Sequence, residues 1–362
     1  MEIGIIGLPK SGKTTVFNAL TRGKAETAAY ATTSEPNVGV AKVRDPRLEG
    51  LEAMLKPKRT IPAEVKYIDM AIPKGLGKGE GLGGRLLTYL GKVDALIHVV
   101  RAFEDDRIPH IESSINPERD IATANLELTF SDLAIVERRV KRIEDSLKGA
   151  KPQEREALYH EQALMMKIKS ALENEVPLRH QSLAEEEAKT IESYQFLTAK
   201  PPMVVLNIGE EQLPHASSLE EEVGSHYPQI PVAALCGKLE MELAQLAEAE
   251  AGEFRLALDL KESALDRLIN LSYELLGLIS FFTIASGEVK AWTIGQNTST
   301  PKAAGKVHSD MERGFIRAEV IGYNELMSCS NLAEARKRGL LHLEGKNYIV
   351  QDGDVITFLF SV

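Results

Sequence analysis

The sequence predicts an α/β protein: a mostly parallel sheet with helices on both faces, an inserted helical coiled-coil hairpin, and a small α+β domain at the C-terminal end. Three observations predict it. A strand, a glycine-rich loop and a helix open the chain. Buried-type strands recur on both sides of a glycine-poor helical stretch. Short alternating strands joined by Gly and Asn turns fill the sequence from Phe281 onward.

Residues 2–6, EIGII, form an apolar run of strand type, GLPKSGKT follows at 7–14, and TVFNALT reads as the start of a helix. This is G-x-x-x-x-G-K-[ST] in the context the motif requires. Gly7 and Gly12 let the backbone turn with its N–H groups inward, and the helix N-terminus adds partial positive charge. The pattern therefore names the phosphates of a nucleotide as ligand. Lys13 would reach the β- and γ-phosphates, and the Thr14 hydroxyl would ligate Mg²⁺. A plain glycine turn is the competing reading, and the flanking strand and helix argue against it.

EVKYIDMAI (64–72) and VDALIHVV (93–100) read as buried strands, joined through a short helix in GEGLGGRLLTYLGK. From Asp120 to about Tyr194 glycines are few, and Leu126, Leu133, Val136, Val140, Ile143 and Leu147 stand at helical spacing. A break at Gly149–Pro152 makes this a helical hairpin or coiled coil. Strands return with PPMVVLNIGE (201–210) and IPVAALCG (230–237), followed by helices at 239–249 and 258–277, so the hairpin reads as an insertion. The expected domains are 1–118 with 195–278, the insertion 119–194, and 279–362, which holds one helix, Leu332–Arg338, among its strands.

Composition narrows the classes. Hydrophobic residues make up 43% and charged residues 27%, as in a soluble globular protein. No stretch reads as a membrane span, the first residues lack a secretory signal, and Cys236 and Cys329 make neither a disulfide framework nor a zinc site. A reducing, cytoplasmic location is the expectation. The net charge of -10 argues against a surface built for non-specific nucleic-acid binding. RRVKR (138–142) could touch RNA, with a solvated helix face as the default reading.

Other residues refine the chemistry. YATTSEPNVGV (30–40) is a polar loop in which Thr32 or Thr33 could place a hydroxyl on Mg²⁺; an ordinary Ser/Thr turn is the alternative. Asp69 ends an apolar strand as a Mg²⁺-holding carboxylate would, or as a cap. KGLGKGEGLGG (74–84) packs six glycines into eleven residues, and the G-x-G-x-x-G match inside it (Gly79, Gly81, Gly84) is weak because it does not follow the first strand. Asn207, Ile208, Gly209 and Glu210 occupy the place where a guanine-specific site has N-K-x-D. Glu210 sets the carboxylate about a bond length away from that geometry, and an unpaired buried group costs ~1–3 kcal/mol, so the preference moves from guanine toward adenine. Taken alone, this segment would read as an Asn-Gly turn.

Together, GLPKSGKTT, TSEPNVGV, KGEGLG, VDALIHVVRAFED, N-x-x-E, and the C-terminal AWTI, PKAAGKVHSDMERGFIRAEVI and YIVQDGDVITFLFSV resemble the YchF-type branch of the Obg-related P-loop GTPases over nearly the full chain. The resemblance implies a G domain, an inserted helical domain and a C-terminal TGS-like domain. It implies ATP as the usual nucleotide with GTP weaker, Mg²⁺ as cofactor, a ribosomal partner, and neither membrane nor sequence-specific DNA. Carried over by motif, Pro9, Lys10, Ser11, Gly12, Lys13, Thr14 and Thr15 hold phosphates, and Thr14, Thr33 and Asp69 serve the metal. Asn207, Ile208 and Glu210 with Cys236, Gly237 and Lys238 face the purine, CGK standing where S-A-K is usual. Lys13 and His110, the latter in FEDDRIPHIE, are the catalytic candidates, His110 replacing a missing switch glutamine; the alternative is an exposed loop histidine. One departure bears on turnover. The family's D-x-A-G-L-V-K-G-x-x-K-G-E-G is one residue shorter here, with Ile72 at the glycine and Pro73 after it. Two functions follow: a slow Mg²⁺-dependent ATPase switch, or a nucleotide-sensing module with negligible hydrolysis. A small-molecule kinase is disfavoured, since no arginine-rich lid is present.

Overall fold

The structure is a computed structural model that describes residues 1–23, 25, 36–69, 84–260, 263–285 and 287–361. In chain order its strands are β1 (Glu2–Ile6), β2 (Asn37–Lys42), β3 (Arg59–Ile61), β4 (Glu64–Asp69), β5 (Ala95–Arg101), β6 (Pro202–Asn207), β7 (Val232–Leu235), β8 (Leu278–Ala285), β9 (Glu288–Gly295), β10 (Phe315–Gly322), β11 (His342–Glu344) and β12 (Asp354–Phe360). They form two six-stranded sheets, ordered β2-β4-β1-β5-β6-β7 and β11-β10-β12-β8-β9-β3.

In the first sheet β1 pairs in parallel with β4 and β5, β5 with β6, and β6 with β7. All seven residues of β5 are buried, as expected of a parallel strand covered on both faces. Below the sheet's helices lie two apolar clusters, one around Ile6, Leu90 and Leu96, the other around Val100, Leu206 and Ile121.

The insertion is a pair of packed helices, Pro117–Leu147 and Pro152–Glu173. Asn116 caps the first by accepting from the Arg119 N–H, and Pro117 sits where a missing N–H costs nothing. Their shared core holds Val136, Ile143, Met165, Ile168 and Leu172, with Leu133, Val140 and Leu147 packed against it. Leu126, read from its spacing as part of that stripe, is 37% exposed and lies outside it. Buried Asp132 accepts from the backbone N–H groups of Leu197 (2.9 Å) and Thr198 (2.7 Å), which fastens the first helix to the chain re-entering the sheet.

The chain divides into two compact units, Met1–Gly39 with Lys66–Leu265, and Val40–Val65 with Asp266–Val362. Residues 40–65 and 266–278, expected in the first domain, thus fall in the second unit. Three-residue β3 pairs in parallel with β9, Arg59 opposite Glu288, and helix Pro46–Leu55 belongs to the same unit. In that second unit β8 and β9 form an antiparallel pair, and Phe281, Ile294, Ala304, Val320 and Ile356 make the core. Among the described residues no helix is long and apolar enough to cross a membrane.

Candidate nucleotide site

The first sheet grows outward in both directions from β1, so the carboxyl ends of β1, β4 and β5 lie side by side at one edge. In an open parallel sheet this is where a crevice forms and where ligands bind. The phosphate-type loop leaves the end of β1, Asp69 ends β4, Arg101 ends β5, Asn207 ends β6, and Cys236 follows β7. Sequence-distant groups thus meet at one edge because parallel pairing aligns the strand ends.

The loop needs its glycines for separate reasons. Gly12 has φ +86° and stands at the N-cap of helix Lys13–Thr21, where its carbonyl accepts from the Val16 N–H. A Cβ on Gly12 would lie 2.1 Å from Asn207 Nδ2; one on Gly7 would lie 2.5 Å from the Val99 carbonyl oxygen. Lys10 also adopts positive φ, +67°, and its Nζ donates to the Pro109 carbonyl at 3.2 Å. Pro9 and Thr15, at either end of the loop, are half-buried. Burial pushes the Lys13 ammonium below its ordinary value, and the Asp69 charge works against that shift.

The Thr14 hydroxyl donates to Asp69 Oδ2 at 2.8 Å, and Asn37 Nδ2 donates to the same oxygen at 3.3 Å. Asp69 Oδ1 is buried and has no hydrogen-bond partner among the described residues. A buried carboxylate oxygen without a hydrogen-bond partner is costly, and its hard oxygen chemistry beside a hydroxyl fits Mg²⁺. Asn37 was not foreseen; a short amide donor two residues beyond the TSE segment has no sequence signal of its own. Thr33, Ile72, Pro73 and the glycine-rich run 74–83 lie outside the described residues.

On the opposite side Asn207 acts as a clamp. Its Nδ2 donates to the Ser11 carbonyl and its Oδ1 accepts from the Gly237 N–H, both at 3.0 Å. It ties the phosphate-type loop to the loop after β7. Gly237 starts a short helix behind Cys236, whose buried thiol is raised by desolvation. Ile208, carried to the purine side by motif, has a buried side chain. That side chain, 2% exposed, packs among Val100, Leu206 and Val223. Glu210 stays at the rim and pairs with Lys238 at 3.1 Å.

His110 is neither the exposed loop histidine nor a free base. Its side chain is 4% exposed, Nε2 lies 2.9 Å from Asp120 Oδ2, and Nδ1 accepts from the Glu112 N–H at 3.1 Å. That pairing requires the proton on Nε2 and leaves no lone pair for water. The loop carrying it is organised by Arg101, which the sequence reading passed over within VVR. The buried guanidinium donates to the carbonyls of Phe103 (3.1 Å) and Ile108 (2.7 Å) and stacks 4.5 Å from the Phe103 ring. A charged residue ending an otherwise apolar strand was the available signal.

Comparison with known proteins gives the chain's relatives. Residues 2–139 match the family model of 50S ribosome-binding GTPases, and residues 278–361 match YchF-GTPase_C, described as a protein of unknown function. The chain is 42% identical to the ribosome-binding ATPase YchF of Bacillus subtilis (strain 168), covering all of both chains. To the ribosome-binding ATPase YchF of Escherichia coli O157:H7 it is 40% identical, over 100% of this chain and 99% of the other. The solved YchF GTPase of Schizosaccharomyces pombe superposes with a TM-score of 0.83 at 30% identity, over 99% of this chain and 97% of that one. A GTP binding protein from Pyrococcus horikoshii OT3 shares the fold, with a TM-score of 0.62 at 19% identity and full coverage of both chains.

Proposed function

The chain belongs to the YchF family of P-loop nucleotide hydrolases, and from that premise we propose that it binds ATP with Mg²⁺, cleaves it slowly, and works as a ribosome-associated nucleotide switch in the cytoplasm. The observation that carries the site is the buried Asp69 Oδ1, which has no hydrogen-bond partner among the described residues, beside the Thr14 hydroxyl at the Gly7–Thr14 loop. In this reading the loop N–H groups and Lys13 hold the β- and γ-phosphates. Thr14, Asp69 and Thr33 hold the metal. Bound there, Mg²⁺ would neutralise charge on the phosphate oxygens. Asn207 fixes the spacing between the phosphate side and the base side.

ATP is preferred over GTP because guanine recognition needs a carboxylate set squarely against its N–H edge. Glu210 is one methylene longer than the usual Asp, and one of its oxygens is already paired with Lys238. Calorimetry with ATP, GTP and their non-hydrolysable analogues, with and without Mg²⁺, tests both points. ATP is expected to bind more tightly and to need the metal; GTP binding at least about tenfold tighter would sink the base argument.

The ribosomal role rests on what the relatives are named, together with the family model over residues 2–139. His110 is assigned to orienting the attacking water once released from its present partners. Those partners favour a second reading, a nucleotide-sensing module with negligible hydrolysis, since a ring with both nitrogens engaged does no chemistry. Steady-state phosphate release separates the two. Wild-type release clearly above the Lys13→Ala background supports the ATPase; release at that background leaves only the sensor.

A further inference from the structure

Three groups meet where the sheet domain passes into the helical insertion. His110 Nε2 lies 2.9 Å from Asp120 Oδ2. Asp120, buried, receives Arg119 Nε (3.0 Å) and Nη2 (2.8 Å) on its other oxygen. Arg119 in turn donates to the Ser114 hydroxyl (3.0 Å) and carbonyl (2.8 Å). Asp120 belongs to the first turn of the insertion's long helix, next to the Asn116 cap. The nucleotide-site side of the same loop is fixed independently, by Lys10 on the Pro109 carbonyl and Arg101 on the Ile108 carbonyl. His110 therefore sits between a rigid anchor on the phosphate-type loop and a charged anchor on the insertion.

A neutral imidazole that donates through Nε2 and accepts through Nδ1 has no free nitrogen. The hydrogen bond to Asp120 is charge-assisted and dry, so it is stronger than an exposed one. We infer that Asp120, held by Arg119, is a positioning residue that latches His110 in a closed state, so that the first turn of the helical insertion limits turnover at the nucleotide site. The inference rests on the assignment of His110 to hydrolysis made above. It goes beyond that assignment by naming the group that restrains the ring and the element through which a partner on the insertion would release it.

The test pairs a chemical readout with a kinetic one in the full-length chain. Carbethoxylation of His110 by diethyl pyrocarbonate, followed by peptide mass mapping, reports whether the ring is held, whatever its catalytic role. In the wild type this modification is slow. In Asp120→Ala it accelerates, and kcat for ATP rises about tenfold with KM unchanged, the population shift expected from losing one charge-assisted hydrogen bond. Arg119→Ala, which leaves Asp120 in place on a folded helix, shifts both readouts the same way by roughly threefold. Asp120→Glu restores the wild-type values. The gain in kcat disappears in Asp120→Ala/His110→Ala.

Unchanged modification in both folded variants overturns the latch. Faster modification with unchanged kcat overturns the control of turnover. If His110→Ala alone then turns over at the wild-type rate, the failure lies in the hydrolytic assignment of His110, and the restraint on the ring stands as a structural one.

Discussion

A methyl group at Gly12 has nowhere to go. Backbone at φ +86° costs an L-residue about 1–2 kcal/mol. The added carbon would also fall 2.1 Å from Asn207 Nδ2, displacing the amide that clamps Ser11 to Gly237. Losing those two hydrogen bonds adds about 1–3 kcal/mol. Gly12→Ala is expected to weaken ATP binding by roughly a hundredfold while leaving the far-UV spectrum unchanged; calorimetric binding within about threefold of wild type would contradict the clamp. His98 offers a second test at this scale. It is buried in β5, its Nε2 has no partner among the described residues, and desolvation lowers it to about 4. The unfolded chain takes up this proton near its ordinary value of 6.5, and the folded one only near 4. Stability from this group is complete above the ordinary value and falls as pH drops through that window, by about 3 kcal/mol in all. His98→Leu should flatten the difference in urea-unfolding free energy over that range; parallel pH profiles for wild type and variant would refute it.

At the scale of elements, the insertion depends on one buried carboxylate as much as on its apolar seam. Asp132 satisfies two N–H groups, of Leu197 and Thr198, where the chain comes back to the sheet. Removing the carboxylate leaves both donors buried and unpaired, at a cost of about 1–3 kcal/mol each. Asp132→Ala should therefore destabilise the first unit by roughly 2–6 kcal/mol in urea unfolding and speed amide exchange at Leu197 and Thr198. A loss near zero would mean water replaces the carboxylate. The spacing of Leu133, Val136, Val140, Ile143 and Leu147 made this hairpin legible before any coordinates, because helical periodicity is a local signal. The strand ends bearing the loop, Asp69 and Asn207 were legible for the same reason. Residues 40–65 were not: a three-residue strand pairing with one more than two hundred positions away leaves no local pattern. The surroundings of Ile208 and His110 were not legible for a different reason. Motif matching assigns a position along the chain, whereas burial and hydrogen bonding decide which way a side chain faces, and both side chains face protein.

For the whole molecule, the net charge of -10 constrains the ribosomal contact proposed above. Ribosomal RNA is a polyanion, so long-range repulsion works against a chain of this sign, and association must come from local, shape-specific contacts. Such contacts neutralise few phosphates, and the salt dependence of binding scales with that number. A protein making six to ten phosphate contacts loses about 10³–10⁵ in affinity between 50 and 200 mM salt. This chain is expected to lose about tenfold or less over the same range. The nucleotide site supplies the second constraint. If the Gly7–Thr14 loop and Asp69 form a switch, the ribosome must distinguish the triphosphate state from the diphosphate state, because a ligand that binds two states equally shifts neither. Co-sedimentation with purified ribosomes should therefore be retained with a non-hydrolysable ATP analogue, fall several-fold with ADP, and lose that difference in Lys13→Ala. Equal sedimentation with analogue and ADP would remove the switch, and a steep fall with salt would show that the contact is a broad electrostatic one.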